Sequence, residues 1–194
     1  MRTLCASVMA LLLAAPALAE CTCKTNKTAG GWCTDCKLGY VSGVQVKSQK
    51  LYDALQGQAV NEAELKCPSC KTAFAKNDAC SACKVSYADR KSFKSPFAAT
   101  LASGKAVKAD DIKCATCKGN VDKQGWCDSC KAGIVHGRQF TDKAAYEKAV
   151  KAHEVLVEST KQLSHCEQCA IAMATNGTCN QCKETYKDGK VQKP

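Results

Sequence analysis

The sequence predicts a small α+β protein held together at its cysteines, with four tandem β-hairpin modules linked by short helices. Three observations predict it. Sixteen of the seventeen cysteines fall into four similar groups, each made of two close pairs separated by nine residues. The groups recur with a period of 47 residues, visible as Cys33, Cys80 and Cys127, and Cys179 follows after 52. The stretches between groups carry the capping signals of short helices.

The cysteines are needed because the rest of the composition is a poor core. Apolar residues make up 45% of the 194, but much of that is Ala and Cys, and the four Phe, five Tyr and two Trp are scattered. A module of under about 50 residues cannot bury enough apolar surface to fold alone and normally needs disulfides or a metal.

Residues 1–19 read as a signal peptide outside the fold. Arg2 supplies a basic start, Leu4 to Ala15 an apolar run, and Ala17 and Ala19 the small residues that place cleavage before Glu20. The run is short for a membrane span. Cleavage removes Cys5 and leaves sixteen cysteines. Glu20 stands where a lipoprotein motif ending at Cys21 needs a small residue, which argues against a lipid anchor. No twin-arginine pair occurs, so the expectation is export unfolded to the periplasm or outside the cell, with any metal acquired there.

The remaining chain divides into four units: 20–66, 67–113 and 114–165, each a module with its following spacer, and 166–194, a module with a C-terminal tail. The first two spacers have 30 residues each, and the third has 35, which accounts for the longer step. Within the modules, Gly30-Gly31, Asn77-Asp78, Gln124-Gly125 and Asn176-Gly177 tolerate positive backbone torsions, so each nine-residue loop is expected to be a β-hairpin tip. Trp32 and Trp126, just before third cysteines, are expected to pack over the sites. The segments Tyr40–Val44, Tyr87–Arg90, Ile134–Gly137 and Tyr186–Gly189 look extended.

In the spacers, Ser48 is placed to cap a helix carrying Leu51, Tyr52 and Leu55 and ended by Gly57. Ser95-Pro96 starts another, with Phe97 and Leu101, ended by Gly104. Thr141 opens a longer one, whose stripe of Tyr146, Ala149, Val150, His153 and Val157 is expected to pack on the neighbouring module.

The candidate ligands are Cys21, Cys23, Cys33 and Cys36; Cys67, Cys70, Cys80 and Cys83; Cys114, Cys117, Cys127 and Cys130; and Cys166, Cys169, Cys179 and Cys182. A two-residue gap makes a tight knuckle whose amides can bond the sulfurs, and two knuckles complete a tetrahedral site for a divalent ion. Charge supports this. A zinc ion with four thiolates carries −2, which nearby cations or amide dipoles must offset. The residue after the closing cysteine of a pair is Lys in seven of eight cases: Lys24, Lys37, Lys71, Lys84, Lys118, Lys131 and Lys183, the exception being Ala170. Without Arg2 the chain has 27 basic and 18 acidic residues, or +9; four sites of −2 bring this to about +1. The lysines are dispersed and no basic helix stands out, so specific nucleic-acid binding is not expected.

These modules resemble the zinc-ribbon, or rubredoxin-knuckle, class from Cys21 to Tyr186, as four beads. The resemblance implies structural zinc, up to four Zn2+, each held between two β-turn knuckles. The chain departs from the class in carrying Lys where Gly often follows the second cysteine. It also departs in Cys21-Thr22-Cys23, one residue short of a knuckle. Such a class supports fold and metal rather than purpose.

Disulfides are the competing use of sixteen cysteines in an oxidising compartment, although a bridge within one pair closes a tiny loop and constrains the unfolded chain little. Haem attachment would need His after a pair, and none is there. Rubredoxin-type iron fits the ligands but not loading after unfolded export. Copper(I) accepts thiolates without needing the spacing. His136, His153 and His165 read as ordinary residues. No His base and orienter accompany a spare cysteine, so no enzyme is expected. The functional expectation is an exported, non-enzymatic zinc-binding repeat protein that presents a surface to another protein or an envelope component. A periplasmic zinc or copper store is the alternative, and a disulfide-stabilised or thiol-redox protein a second one.

Overall fold

The computed structural model describes residues 30–192; the leader, Cys21 and Cys23 lie outside them. Every module is a three-stranded antiparallel meander. In the first, β1 (Gly31–Cys33), β2 (Leu38–Val41) and β3 (Val44–Val46) follow in order. The spacer forms helix α1 (Gln49–Leu55), capped where expected: the Ser48 hydroxyl accepts the Leu51 amide at 3.1 Å. Next, β4 (Gln58–Ala59) leaves the first module and joins the edge of the second sheet, in the order β4-β7-β6-β5.

The second module contains helix α2 (Pro68–Lys76), β5 (Ala79–Cys80), β6 (Val85–Ala88) and β7 (Lys91–Phe93). Helix α3 (Pro96–Ala102) has the expected Ser95 cap on the Ala98 amide, and β8 (Lys105–Ala106) again passes to the next sheet. The third module has α4 (Ala115–Lys118), β9 (Gln124–Cys127), β10 (Ala132–Val135) and β11 (Arg138–Phe140). Helix α5 (Lys143–Gln162) fills the longer spacer. The fourth module is α6 (Glu167–Thr175), β12 (Thr178–Cys179), β13 (Glu184–Lys187) and β14 (Lys190–Val191).

The structure corrects four expectations. The nine-residue loops are not hairpin tips in the second to fourth modules: α2 and α6 fill most of two of them, and in the third α4 ends at Lys118, turns follow, and Gln124-Gly125 open β9. Cys67 has extended torsions and Pro68 sits at the first helical position, a favourable start. Asn77 and Asn176, with φ of 50° and 52°, end their helices in the left-handed conformation. These residues do turn the chain, but what they turn is the end of a helix.

The segments expected to be extended contain the true hairpin turns. Ser42-Gly43, Asp89-Arg90, His136-Gly137 and Asp188-Gly189 have positive φ at both central residues, except that Arg90 replaces glycine at the second place of one. This is the mirror-type turn whose twist matches paired strands.

Helix α5 starts at Lys143, with Asp142 rather than Thr141 accepting the Ala145 amide. At about 30 Å long, it packs against α3, α6, β3 and β10. Its innermost residues are Ala149, Ala152, Leu156 and Ser159, with Tyr146, Val150 and Val157 at the margin of the core.

Finally, the modules do not stand as isolated beads. Val46, Leu51 and Leu55 from the first unit, Phe93 and Leu101 from the second, Val135, Phe140 and Leu156 from the third, and Ala170 and Ala174 from the fourth share one apolar cluster. No unit could build that interior alone; together the spacers do. Among the described residues no helix is long and apolar enough to cross a membrane.

Candidate metal centres

Two local structures deliver each cysteine quartet. The first pair opens a helix: Cys67, Cys114 and Cys166 stand at the cap positions of α2, α4 and α6, and Cys70, Cys117 and Cys169 lie in the first turn. The second pair turns a hairpin corner. Cys80, Cys127 and Cys179 end one strand, and the chain returns through Cys83, Cys130 and Cys182.

The lysine after each corner, Lys84, Lys131 or Lys183, has φ between 47° and 60°, as does Lys37 in the first module. That is the position where a glycine would be free of strain. Lysine there accepts a strained torsion at the residue that directly follows the fourth ligand. Ala170, the departure from the lysine rule, is fully buried in the shared core; a charged side chain has no place there.

Three quartets converge: Cys67, Cys70, Cys80 and Cys83; Cys114, Cys117, Cys127 and Cys130; Cys166, Cys169, Cys179 and Cys182. In each, all four sulfurs lie within 4.8 Å of one another, and each group could hold a metal ion. Sulfur separations of 3.8 Å are found for Cys114–Cys127 and Cys166–Cys179. A tetrahedron with metal–sulfur bonds of about 2.3 Å has edges of about 3.8 Å. Burial follows one pattern throughout: the second and third cysteines are buried, the first is half-buried and the fourth is exposed. In the first module Cys33 is buried and Cys36 exposed at an equivalent corner, while their partners lie outside the described residues.

The electrostatics favour anionic sulfur with a cation among it. Amides donate to sulfur in the knuckles, from Cys169 to Cys166 at 3.5 Å and from Cys182 to Cys179 at 3.3 Å. The Cys117 amide leads the causes that hold the Cys114 thiol down to about 6. The Cys70 amide does the same for Cys67 and the Cys182 amide for Cys179, each to about 7. Their neighbours are driven the other way. Burial pushes Cys117 up to about 12, and hydrogen bonding with other sulfurs, Cys70 first, pushes Cys83 up to about 12. One thiolate forms easily in each quartet and four do not, unless a divalent cation balances them.

The tryptophans pack on the spacer helices. Trp32 lies 5.4 Å from the Tyr52 ring of α1, and Trp126 5.5 Å from the Tyr146 ring of α5. They couple the module sheets to the spacer helices. What the sequence reading missed is a set of tyrosines at one repeat position. Tyr87 and Tyr186 are buried in the same small clusters as Cys70 and Cys169, and the Tyr186 hydroxyl donates to Glu184 Oε2 at 2.6 Å. The spacing of Tyr40, Tyr87 and Tyr186 relative to the cysteines was the available signal.

Comparison with known proteins finds no family model, no curated protein and no solved structure that matches the chain.

Proposed function

We propose that the chain is an exported, non-enzymatic zinc protein whose quartets are structural sites and whose assembled surface serves another protein or an envelope component. The observation that carries this reading is the convergence of three four-cysteine groups, each joining a helix start to a hairpin corner within 4.8 Å. Zinc suits four thiolates in tetrahedral array, without redox chemistry and with no preference beyond that geometry. The lysines at the corners and the dipoles at the helix starts offset the charge of such a site. The common interior built by α1, α3, α5 and α6 supports an architectural role, because an ion store has no need of one.

Storage is the second reading, and the exposed fourth cysteine of each quartet favours it, since a competing ligand can reach the site there. Copper(I) would serve that reading as well as zinc.

Native mass spectrometry of the protein taken from its own compartment, with thiol counting, tests both. Four zinc ions per chain and no reactive thiol are expected. Three ions with reactive thiols at Cys33 and Cys36 assign the defect to Cys21 and Cys23. A metal-free chain lighter by pairs of protons sinks the zinc reading in favour of disulfides.

A further inference from the structure

The three quartets share a ligand pattern but not a neighbourhood. Where the second and fourth have Tyr87 and Tyr186, the equivalent residue of the third is Ile134, 47 positions after one and 52 before the other. Ile134 is 1% exposed and packs with Val121 against Cys117 and Cys127. It brings no polar group, so Cys117 has no phenol in its cluster where Cys70 and Cys169 each have one. Hydrogen bonds to ligating sulfur withdraw charge from it and fix its position, and their loss loosens a site.

The cover differs too. Helices α2 and α6 run for nine residues beyond their first cysteine, whereas α4 stops after four. A cleft of about 520 Å³ reaches Cys114, Cys117 and the exposed Cys130, and Lys105, Lys113 and Asp111 stand on its wall. Apart from the thiolates, its charged side chains are net positive by one, with Lys113 adjoining the first ligand. In the second module the residue equivalent to Lys105 is the neutral Gln58.

We propose that the third quartet is a metal-exchange site that admits a small anionic multidentate chelator, of the polycarboxylate class, through this cleft. The chelator enters past the lysines and a carboxylate oxygen bonds the metal as the Cys130 thiolate leaves. The remaining thiolates are replaced in turn, and each freed thiolate is open to protonation from water. No electron changes hands. The second and fourth quartets, covered by longer helices and packed against tyrosine, keep their ions. This inference rests on the zinc reading above.

The full-length zinc-loaded chain, mixed with EDTA and separately with a neutral tetrapyridyl chelator, tests it. Zinc per chain is followed by native mass spectrometry and the freed thiols by alkylation mapping. The first ion lost is expected to expose Cys114, Cys117, Cys127 and Cys130, on the order of tenfold faster than any other described quartet. Replacing both lysines, Lys105→Gln with Lys113→Gln, should slow the loss to EDTA several-fold, by roughly the lower end of the range for electrostatic steering. Loss to the neutral chelator should stay unchanged. Ile134→Tyr should slow both. A chain that loads zinc but empties its quartets together, or opens another of the three first, overturns the exchange site and leaves the zinc reading intact. A chain that binds no zinc overturns both.

Discussion

The imidazole of His136 lies flat against that of His153, with 4.1 Å between ring centres and 17° between planes. His136 belongs to a hairpin turn of the third module and His153 to α5. The His153 Nε2 atom is buried without a hydrogen-bond partner. Burial, and secondarily the charge of His136, holds the His153 imidazole down to about 4. Its folded value lies below the unfolded one, so the unfolded chain binds the extra proton. The stability it contributes is complete above about pH 6.5 and is lost as pH falls toward 4. Allowing for partial exposure, the loss is about 1–2 kcal/mol. Urea unfolding of metal-loaded protein at pH 7 and pH 5.5 should show a smaller drop for His153→Phe than for the native chain. Equal drops would assign the acid sensitivity to the thiolates alone.

Gly104 sits under the ring of Phe140: a Cβ added there would lie 2.5 Å from the ring. Gly57 stands in the same relation to Phe93, at 2.4 Å. Each aromatic ring reaches back over the glycine that ends the preceding spacer helix, which joins one unit to the next. Gly104→Ala should destabilise by about 1–3 kcal/mol through overpacking. Combined with Phe140→Leu, which removes the ring, it should cost far less than the sum of the two single changes. Additive losses in a denaturant cycle would disprove the clash.

Much of this was legible in the sequence because it is local. Ser48 and Ser95 cap where their spacing places them, since an N-cap depends on a side chain and an amide three residues on. The quartets were legible because the two-residue gap between paired cysteines is the spacing a metal knuckle needs, and seven of the eight pairs keep it. The loops failed because Asn-Gly and Asn-Asp serve equally as hairpin tip or helix end. Nine residues between cysteines are also too few for helical periodicity to show. The common interior was hidden for another reason. Each unit contributes only a few apolar residues, such as Leu51, Leu101 and Leu156, and nothing along the chain says that they meet. Ala170 looked like a gap in the lysine pattern; it is where the fourth module enters that interior.

The first and last units are tied at Ser48. Its hydroxyl accepts the Leu51 amide and donates to Glu167 Oε1 at 2.7 Å, and Lys50 Nζ reaches Glu167 Oε2 at 3.0 Å. Ser48→Ala should cost about 1 kcal/mol for the cap, and a cycle with Glu167→Gln should show coupling of at least about 0.5 kcal/mol. Lys50→Ala should be nearly silent, because its side chain is 77% exposed. A large effect from Lys50 and none from Ser48 would reverse the assignment.

Losing a ligand should have different reach in the third and fourth quartets. Cys117 packs with Val121, Cys127 and Ile134 in a cluster apart from the common interior. Cys169 is followed by Ala170, and Ala174 lies on the same helix; both alanines belong to that interior. Structural zinc supplies roughly 10–16 kcal/mol of apparent binding energy, enough to melt the element it anchors. Cys117→Ser should therefore strip amide-exchange protection from α4 and the turn after it, leaving α3 and α5 protected. Cys169→Ser should loosen α6 and carry the loss into α5 through Ala170 and Ala174. If both variants lose protection only around their own cysteines, the interior does not couple the modules. If both collapse throughout, the third quartet is not the separable one.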